Sequence, residues 1–384
     1  MKYRHAGLGS IAKGADRCGA FWFGSGMKRN LSIGLLHSAS GPYAALGRAA
    51  RAGVLQGVAE VNADTALDVA FGIVARDPEG RLDRYAPLCR DMLRNAGVRH
   101  VFGCLTSSSR KEVIPELERL DGVLWYSAPY EGFEASEQVA YMHSCPNQHL
   151  LPLLDWAMPT FGRRAALVGS NYIWGWEIAQ IARERIGAAG GEILSDRYLA
   201  IGDTELDHLI AEIRALRPDF IVNSLIGESS YTFLARVAGL RADLGEACAL
   251  PVLSCNFTEV EIGAAGAAAE GLYSAGPYFE AAAGGLGSFA ETSRLAVHEL
   301  ARLLRGNAGG ETLPLAQLLA GAARQGRPSR LDPDTQHARQ PVVIAQLRGG
   351  RFREVLRLPE IAADPYLSRR DRAPLARPML KVVS

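Results

Sequence analysis

The residues best placed to do chemistry in this chain cluster at Val98–Lys111, VRHVFGCLTSSSRK. A β-branched and aromatic run (Val101, Phe102) ends at Gly103. Small hydroxyl residues follow at Thr106, Ser107, Ser108 and Ser109, then an amphipathic segment, Arg110–Arg119. That order predicts a strand, a tight turn and a helix start. N–H groups at a helix start, with hydroxyls beside them, can hold a small polar or anionic group. The carboxyl end of a strand is where open α/β sheets bind ligands. The same serines could serve only as helix caps, and this stretch alone leaves both readings open.

Other turns carry polar or aromatic residues where plain turn chemistry would suffice: Ser38–Tyr43, Tyr126–Glu131, Ser170–Trp176, Gly227–Ser230 and Asn256–Glu259. Tyr126, Tyr130, Tyr172 and Trp174 suit a small, neutral, planar ligand stacked on rings, with Ser107 and backbone groups bonding its polar edge. Each ring taken singly reads equally as core or interface packing. Glu228 follows a buried run and could accept from an N–H donor, or be an exposed loop carboxylate. His37, at a strand end, reads as a hydrogen-bonded structural histidine rather than a metal ligand.

The elements that must position these turns alternate. Strands are predicted at Leu31–His37, Leu67–Ala75 and Val123–Tyr126, with helices at Leu46–Asn62 and Tyr85–Ala96 between them. The rhythm resets near Pro146 with helix Leu151–Phe161 and strand Arg164–Gly169. It continues through Trp176–Ala188, Gly191–Leu199, Asp203–Leu216, Asp219–Ile226, Tyr231–Leu240 and Pro251–Ser254. Such repetition is the signature of βαβ units on parallel sheets. Gly271–Phe279 reads as a crossover, Leu286–Leu304 as a long helix returning to the first series, and Val342–Leu356 as a hairpin around Gly349-Gly350. Facing turns of two such sheets define a cleft, the default ligand site.

Length and composition bound the function. The chain has 384 residues, enough for two lobes, and Lys+Arg 42 against Asp+Glu 41 leaves a net charge of +1. Nothing there calls for direct nucleic-acid binding. No run approaches the 18 or so apolar residues of a membrane span, so no membrane insertion is expected. The six cysteines are scattered, without CxxC or zinc spacing. No GxSxG, HExxH, P-loop or GxGxxG motif is present; no enzyme activity, metal or cofactor is expected. Residues 1–26 lack the apolar run of a secretory signal, because Lys13, Asp16 and Arg17 interrupt it. The expected location is therefore cytoplasmic, and periplasmic if the natural start differs.

The segments IGLLHSASG, GCLTSSSRKEV, WYSAPYEGFE, CPNQ and LVGSNYIWGWE resemble the urea- and amide-binding branch of the type I periplasmic-binding-protein superfamily, across about Leu31–Leu367. The resemblance implies an α/β fold of two Rossmann-like lobes joined by three crossovers. Lobe one would comprise 31–148 with 277–325, and lobe two 149–276 with 326–365. Residues 1–30 would be a leader and 366–384 a tail. It also implies a short amide or urea-like ligand between the lobes. Ser107 and Tyr126 would hold it from lobe one and Tyr172 from lobe two; Ala128, Pro129 and Trp174 would line the pocket, with Leu105 and Thr106 beside Ser107. The implied role is a cytoplasmic amide sensor with an RNA-binding antitermination partner. The alternative is the substrate-binding component of an ABC transporter, with a permease as partner. A homo-oligomer is compatible with either. The chain departs from the branch at Leu105 (usually aromatic), Ser127-Ala128 (usually proline then threonine or valine), Asn171 (usually aspartate) and Gly175-Trp176 (usually proline–arginine), so the pocket is re-cut on both sides.

Overall fold

Five strands form a first, wholly parallel sheet. They are Arg29–Leu36 (β1), Val69–Ala75 (β2), His100–Gly103 (β3), Val123–Tyr126 (β4) and Val139–Tyr141 (β5), in spatial order β2-β1-β3-β4-β5. This is a computed structural model, described over residues 28–245, 250–280 and 286–368. β3 and β4 are buried at every residue. That explains their near-continuous apolar sequence: a parallel strand covered on both faces has no polar side to alternate with. Helix Ala44–Ala63 (α1) covers one face, and helices Tyr85–Asn95 (α2) and Ser107–Leu120 (α3) cover the other.

The second sheet has seven strands in the order β12-β11-β10-β9-β8-β6-β7. Arg164–Ser170 (β6), Glu192–Leu199 (β7), Phe220–Ser224 (β8), Val252–Ser254 (β9) and Tyr273–Gly276 (β10) run parallel. Gln340–Arg348 (β11) and Arg351–Ile361 (β12) close the edge as an antiparallel hairpin. Helices Leu150–Phe161 (α4), Ile173–Ala188 (α5), Asp207–Leu216 (α6), Glu228–Leu244 (α7) and Glu259–Ala265 (α8) accompany it. Helices Ser288–Leu304 (α9) and Leu315–Arg324 (α10) then return to the first sheet, where Leu300, Leu304 and Leu318 join Val54 and Val58 in one core. The chain thus passes between sheets three times: after β5, after β10 and after α10. α1 and α9 pack at close range because Gly53 carries no side chain; a Cβ there would stand 1.9 Å from Ala290 O.

The structure corrects the sequence reading at several places. Gly271–Phe279 holds β10, a full member of the second sheet, as well as the start of a crossover. β5 and α8 have no clear sequence signal, being three and seven residues long. Arg29 and Asn30 belong to β1 rather than to a leader, and Leu367 is 4% exposed against the second core rather than in a free tail. The rest of the expected leader and tail, 1–27 and 369–384, lies outside the described residues. Cys89, Cys104, Cys145 and Cys255 are buried free thiols; Cys18 and Cys248 lie outside the described residues. His37 is buried with neither ring nitrogen hydrogen-bonded, and burial then the nearby Arg51 charge hold its pKa down at about 3. A neutral imidazole packed as an apolar ring replaces the hydrogen-bonded histidine expected. Among the described residues no group of His, Cys, Asp and Glu is arranged for a metal ion, and no helix is long and apolar enough to cross a membrane.

Candidate functional site

The turn from β3 into α3 forms the first wall. Cys104 adopts a left-handed backbone (φ 61°) although it is not glycine, a strained conformation held by full burial. Thr106 is the N-cap: its Oγ1 accepts from Ser109 N at 3.2 Å and its carbonyl from Arg110 N at 3.0 Å. Ser109 Oγ donates to Thr106 O at 2.7 Å. Capping is therefore done by Thr106 and Ser109, and the first-turn donors left over are the N–H groups of Ser107 and Ser108. Ser107 is free of the cap; its hydroxyl donates instead to Glu131 Oε2 at 2.5 Å.

Behind Ser107 lies a buried charge cluster. Arg110, fully buried, donates through Nη2 to Glu131 Oε1 at 2.7 Å and through Nε to Glu134 Oε1 at 2.8 Å. Its guanidinium carbon stands 4.7 Å from the ring centres of both Tyr126 and Tyr130. Lys111 and the Tyr141 hydroxyl also donate to Glu134. Burial alone would raise the Glu134 pKa, but Arg110, Lys111 and Tyr141 together hold it down at about 2.

The second wall comes from α5. Tyr172, its N-cap, is half-buried and packs against the cores of both lobes. Trp174 is 3% exposed, and its Nε1 donates to Ser224 O at 3.2 Å. The α5 start is tight because Gly175 lies against Ser170; a Cβ there would come 2.0 Å from Ser170 O.

Between the walls is a cavity of about 30 Å³. It is lined by Leu46, Leu105, Thr106, Ser107, Ala128, Pro129 and Phe289 from the first-lobe side and by Tyr172, Trp174, Ile226 and Asn256 from the second. The lobes are closed over it: Gly227 abuts Pro42, so that a Cβ at 227 would stand 2.2 Å from Pro42 O. No charged side chain lines the cavity. Its polar groups are largely committed. Thr106 Oγ1 donates to Ser109, and Asn256 donates to Leu225 O and accepts from Ser254. What remains is Ser107 Oγ as an acceptor, the Tyr172 hydroxyl as donor or acceptor, and the helix-start N–H groups as donors. A larger depression of about 460 Å³ at Asn307, Leu313, Gln317 and Arg324 lies along α10, away from the facing strand ends.

Seven of the expected residues therefore meet at one cavity: Leu105, Thr106, Ser107, Ala128, Pro129, Tyr172 and Trp174. Two do not. Tyr126 is wholly buried behind the wall, where its hydroxyl donates to Leu105 O at 2.7 Å, so it braces Leu105. Glu228 is exposed in the first turn of α7, where a carboxylate complements the helix N-terminus, and does not reach the cavity. Leu46, Ile226, Asn256 and Phe289 escaped sequence reasoning as site residues. Only Asn256 carried a signal, its place in a polar turn after a strand. Phe289 comes from α9, whose return to the cleft no local pattern reveals.

A scan of family models matches residues 31–287 to the periplasmic binding protein domain. The chain belongs to the periplasmic-binding-protein family. Solved structures share its type I fold. A solute-binding protein of an ABC transporter from R. palustris, in complex with benzoate, is 20% identical with a TM-score of 0.74; the match covers 87% of this chain and 98% of that one. A solute-binding protein from Rhodopseudomonas palustris HaA2, in complex with p-hydroxybenzoic acid, is 16% identical with a TM-score of 0.75, over 88% and 100% of the two chains. The branched-chain amino acid transporter substrate-binding protein LivJ from Streptococcus pneumoniae, in complex with isoleucine, is 17% identical with a TM-score of 0.70, over 86% and 99%. At these identities the likeness establishes the fold.

Proposed function

We propose that this protein binds one short, neutral amide or urea by closing its two lobes over it. The observation that carries the reading is the cavity: small, without a charged lining, and with the Ser107 hydroxyl as an acceptor beside the Tyr172 hydroxyl and helix-start donors. So narrow a space between the closed lobes suits a molecule of few heavy atoms. The carboxylate of a benzoate or an isoleucine, as in the solved relatives, would meet no charged side chain in this lining, only the helix-start N–H groups and hydroxyls. An amide offers an N–H to Ser107 Oγ and a carbonyl to the helix-start N–H of Ser107 or to the Tyr172 hydroxyl.

As to role, the three solved relatives are binding proteins of ABC transporters, and this supports a substrate-binding component more than the amide-sensor reading with its antitermination partner. The transport role calls for export and a permease; the cytoplasmic sensor role calls for neither. Titrating purified protein with acetamide, urea, acetate, isoleucine and benzoate, by calorimetry and by thermal shift, tests the ligand class. A ligand that binds only the native form raises the melting temperature. Binding of acetamide or urea is expected; failure of both at millimolar concentration while benzoate or isoleucine binds would overturn the reading. Fractionation of cells expressing the natural gene separates the two roles.

A further inference from the structure

A serine hydroxyl has one proton and two lone pairs. At Ser107 that proton is spent: it points to Glu131 Oε2 at 2.5 Å. Glu131 is 1% exposed and its other oxygen takes Arg110 Nη2 at 2.7 Å. A carboxylate paired with a guanidinium accepts hydrogen bonds and does not donate them. Arg110 is itself locked, with Nε on Glu134 at 2.8 Å and its plane between the Tyr126 and Tyr130 rings. The hydroxyl therefore has no second resting direction in which its proton could turn to the cavity without leaving a buried carboxylate oxygen unpaired.

We propose that Glu131 is a specificity-determining positioning residue. By holding the Ser107 proton it makes that hydroxyl an obligate acceptor, so the Ser107 end of the cavity selects a ligand group that brings an N–H over an isostere that brings only lone pairs. This rests on the amide-or-urea reading above and adds which end of the ligand faces Ser107, and why. Acetate is the informative isostere: an oxygen replaces the nitrogen at nearly the same size. Set against Ser107, its lone pairs would face lone pairs.

The test is the ratio of acetate to acetamide dissociation constants, measured by calorimetry on wild type, Glu131→Gln, Ser107→Ala and the double variant. In Glu131→Gln the amide oxygen stays on Arg110, so its NH2 group faces Ser107. The hydroxyl then accepts from Gln and turns its own proton to the ligand. The acetate-to-acetamide ratio should fall by about ten-fold, the scale of one hydrogen bond remade. In the Ser107→Ala background the same substitution should leave the ratio unchanged. A ratio change that persists there would mean that Glu131 acts through its charge alone, and would overturn the proposal. Ser107→Ala by itself, a conservative truncation, covers the case in which Glu131→Gln does not fold. It should weaken acetamide by about ten-fold and acetate hardly at all, and equal losses would refute an acceptor role. If wild type binds neither acetamide nor urea, the amide reading fails. If it binds acetamide and Ser107→Ala lowers the ratio while Glu131→Gln keeps the wild-type ratio, only the role of Glu131 fails.

Discussion

Gly227→Ala tests lobe closure without touching the ligand. Gly227 caps α7 in the second lobe with φ 59°, and its α-carbon faces the Pro42 carbonyl of the first lobe. An added Cβ would lie 2.2 Å from that oxygen, against the 3.4 Å at which ordinary contact begins, so the lobes would have to part by about 1.2 Å there (3.4 minus 2.2). Overpacking of this kind costs about 1–3 kcal/mol, and here it falls on the closed form alone. The acetamide dissociation constant should therefore rise about 5- to 150-fold. The left-handed backbone adds strain to open and closed forms alike, which lowers the melting temperature but cancels from the dissociation constant. Gly245→Ala isolates that second effect: Gly245 ends the same helix at φ 77° with nothing within 4 Å of its would-be Cβ. Calorimetry should show weakened binding only in Gly227→Ala, while both variants melt earlier than wild type. Equal affinity in the two variants would mean that the ligand-bound form does not bring Gly227 onto Pro42, and closure as drawn here would be wrong.

Other expectations follow from the same geometry. The Glu134 carboxyl, held at about 2 in the fold against 4.5 in its ordinary state, contributes stability that is present above pH 4.5 and lost as pH falls towards 2. The difference amounts to about 3 kcal/mol, and urea unfolding of Glu134→Gln should show a flatter acid limb than wild type. Glu261 is the opposite case: burial, opposed by its bond from Thr258 N, raises it to about 8. Its contribution is thus fully present below pH 4.5 and is lost as pH rises to 8, so Glu261→Gln should be the more stable protein at pH 9, and a less stable one would contradict this. Leu105→Tyr puts a ring into a cavity of about 30 Å³ and should weaken acetamide by about 5- to 150-fold; tighter binding would show that the wall can retreat. Ligand-dependent tryptophan emission should vanish in Trp174→Phe and survive in Trp176→Phe, since Trp174 lines the cavity and Trp176 is 49% exposed.

Much of the fold is legible because its elements are long and regular. The apolar runs that become β1, β4 and β6 and the alanine-rich α1 announce themselves by period and by the turns that end them. β10 and α8 do not, because membership of a sheet or a short helix depends on partners distant in the chain: β10 is set by pairing with β9 and β11. The site divides along the same line. Residues in βα turns, such as Ser107, Tyr172 and Trp174, are readable, since strand-end turns must face the cleft. Tyr126 stands outside the cavity lining for a physical reason. It is the last residue of β4 rather than part of the following turn, and its ring goes under α3, where a cation and Leu105 O await it. Phe289 and Ile226 enter through crossover and closure, which no local pattern encodes.

The charge cluster behind Ser107 ties these observations together. A buried arginine beside a ligand cavity would ordinarily draw a carboxylate into it. Here Arg110 and Lys111 are matched by Glu131 and Glu134 through ion pairs of 2.7–2.8 Å, so little net field is left to reach the cavity. Swapping a buried ion pair for apolar residues of equal volume is often neutral or stabilising, so stability alone is a weak reason to keep one. Removing a single member is another matter, costing about 3–5 kcal/mol because the remaining charge is left uncompensated. The arrangement makes sense if its product is direction rather than stability: Glu131, immobilised by Arg110, fixes the Ser107 hydroxyl as an acceptor, while Tyr126, pinned under the same guanidinium, fixes Leu105. The wall facing the ligand is then without a charged side chain and presents a fixed acceptor at Ser107.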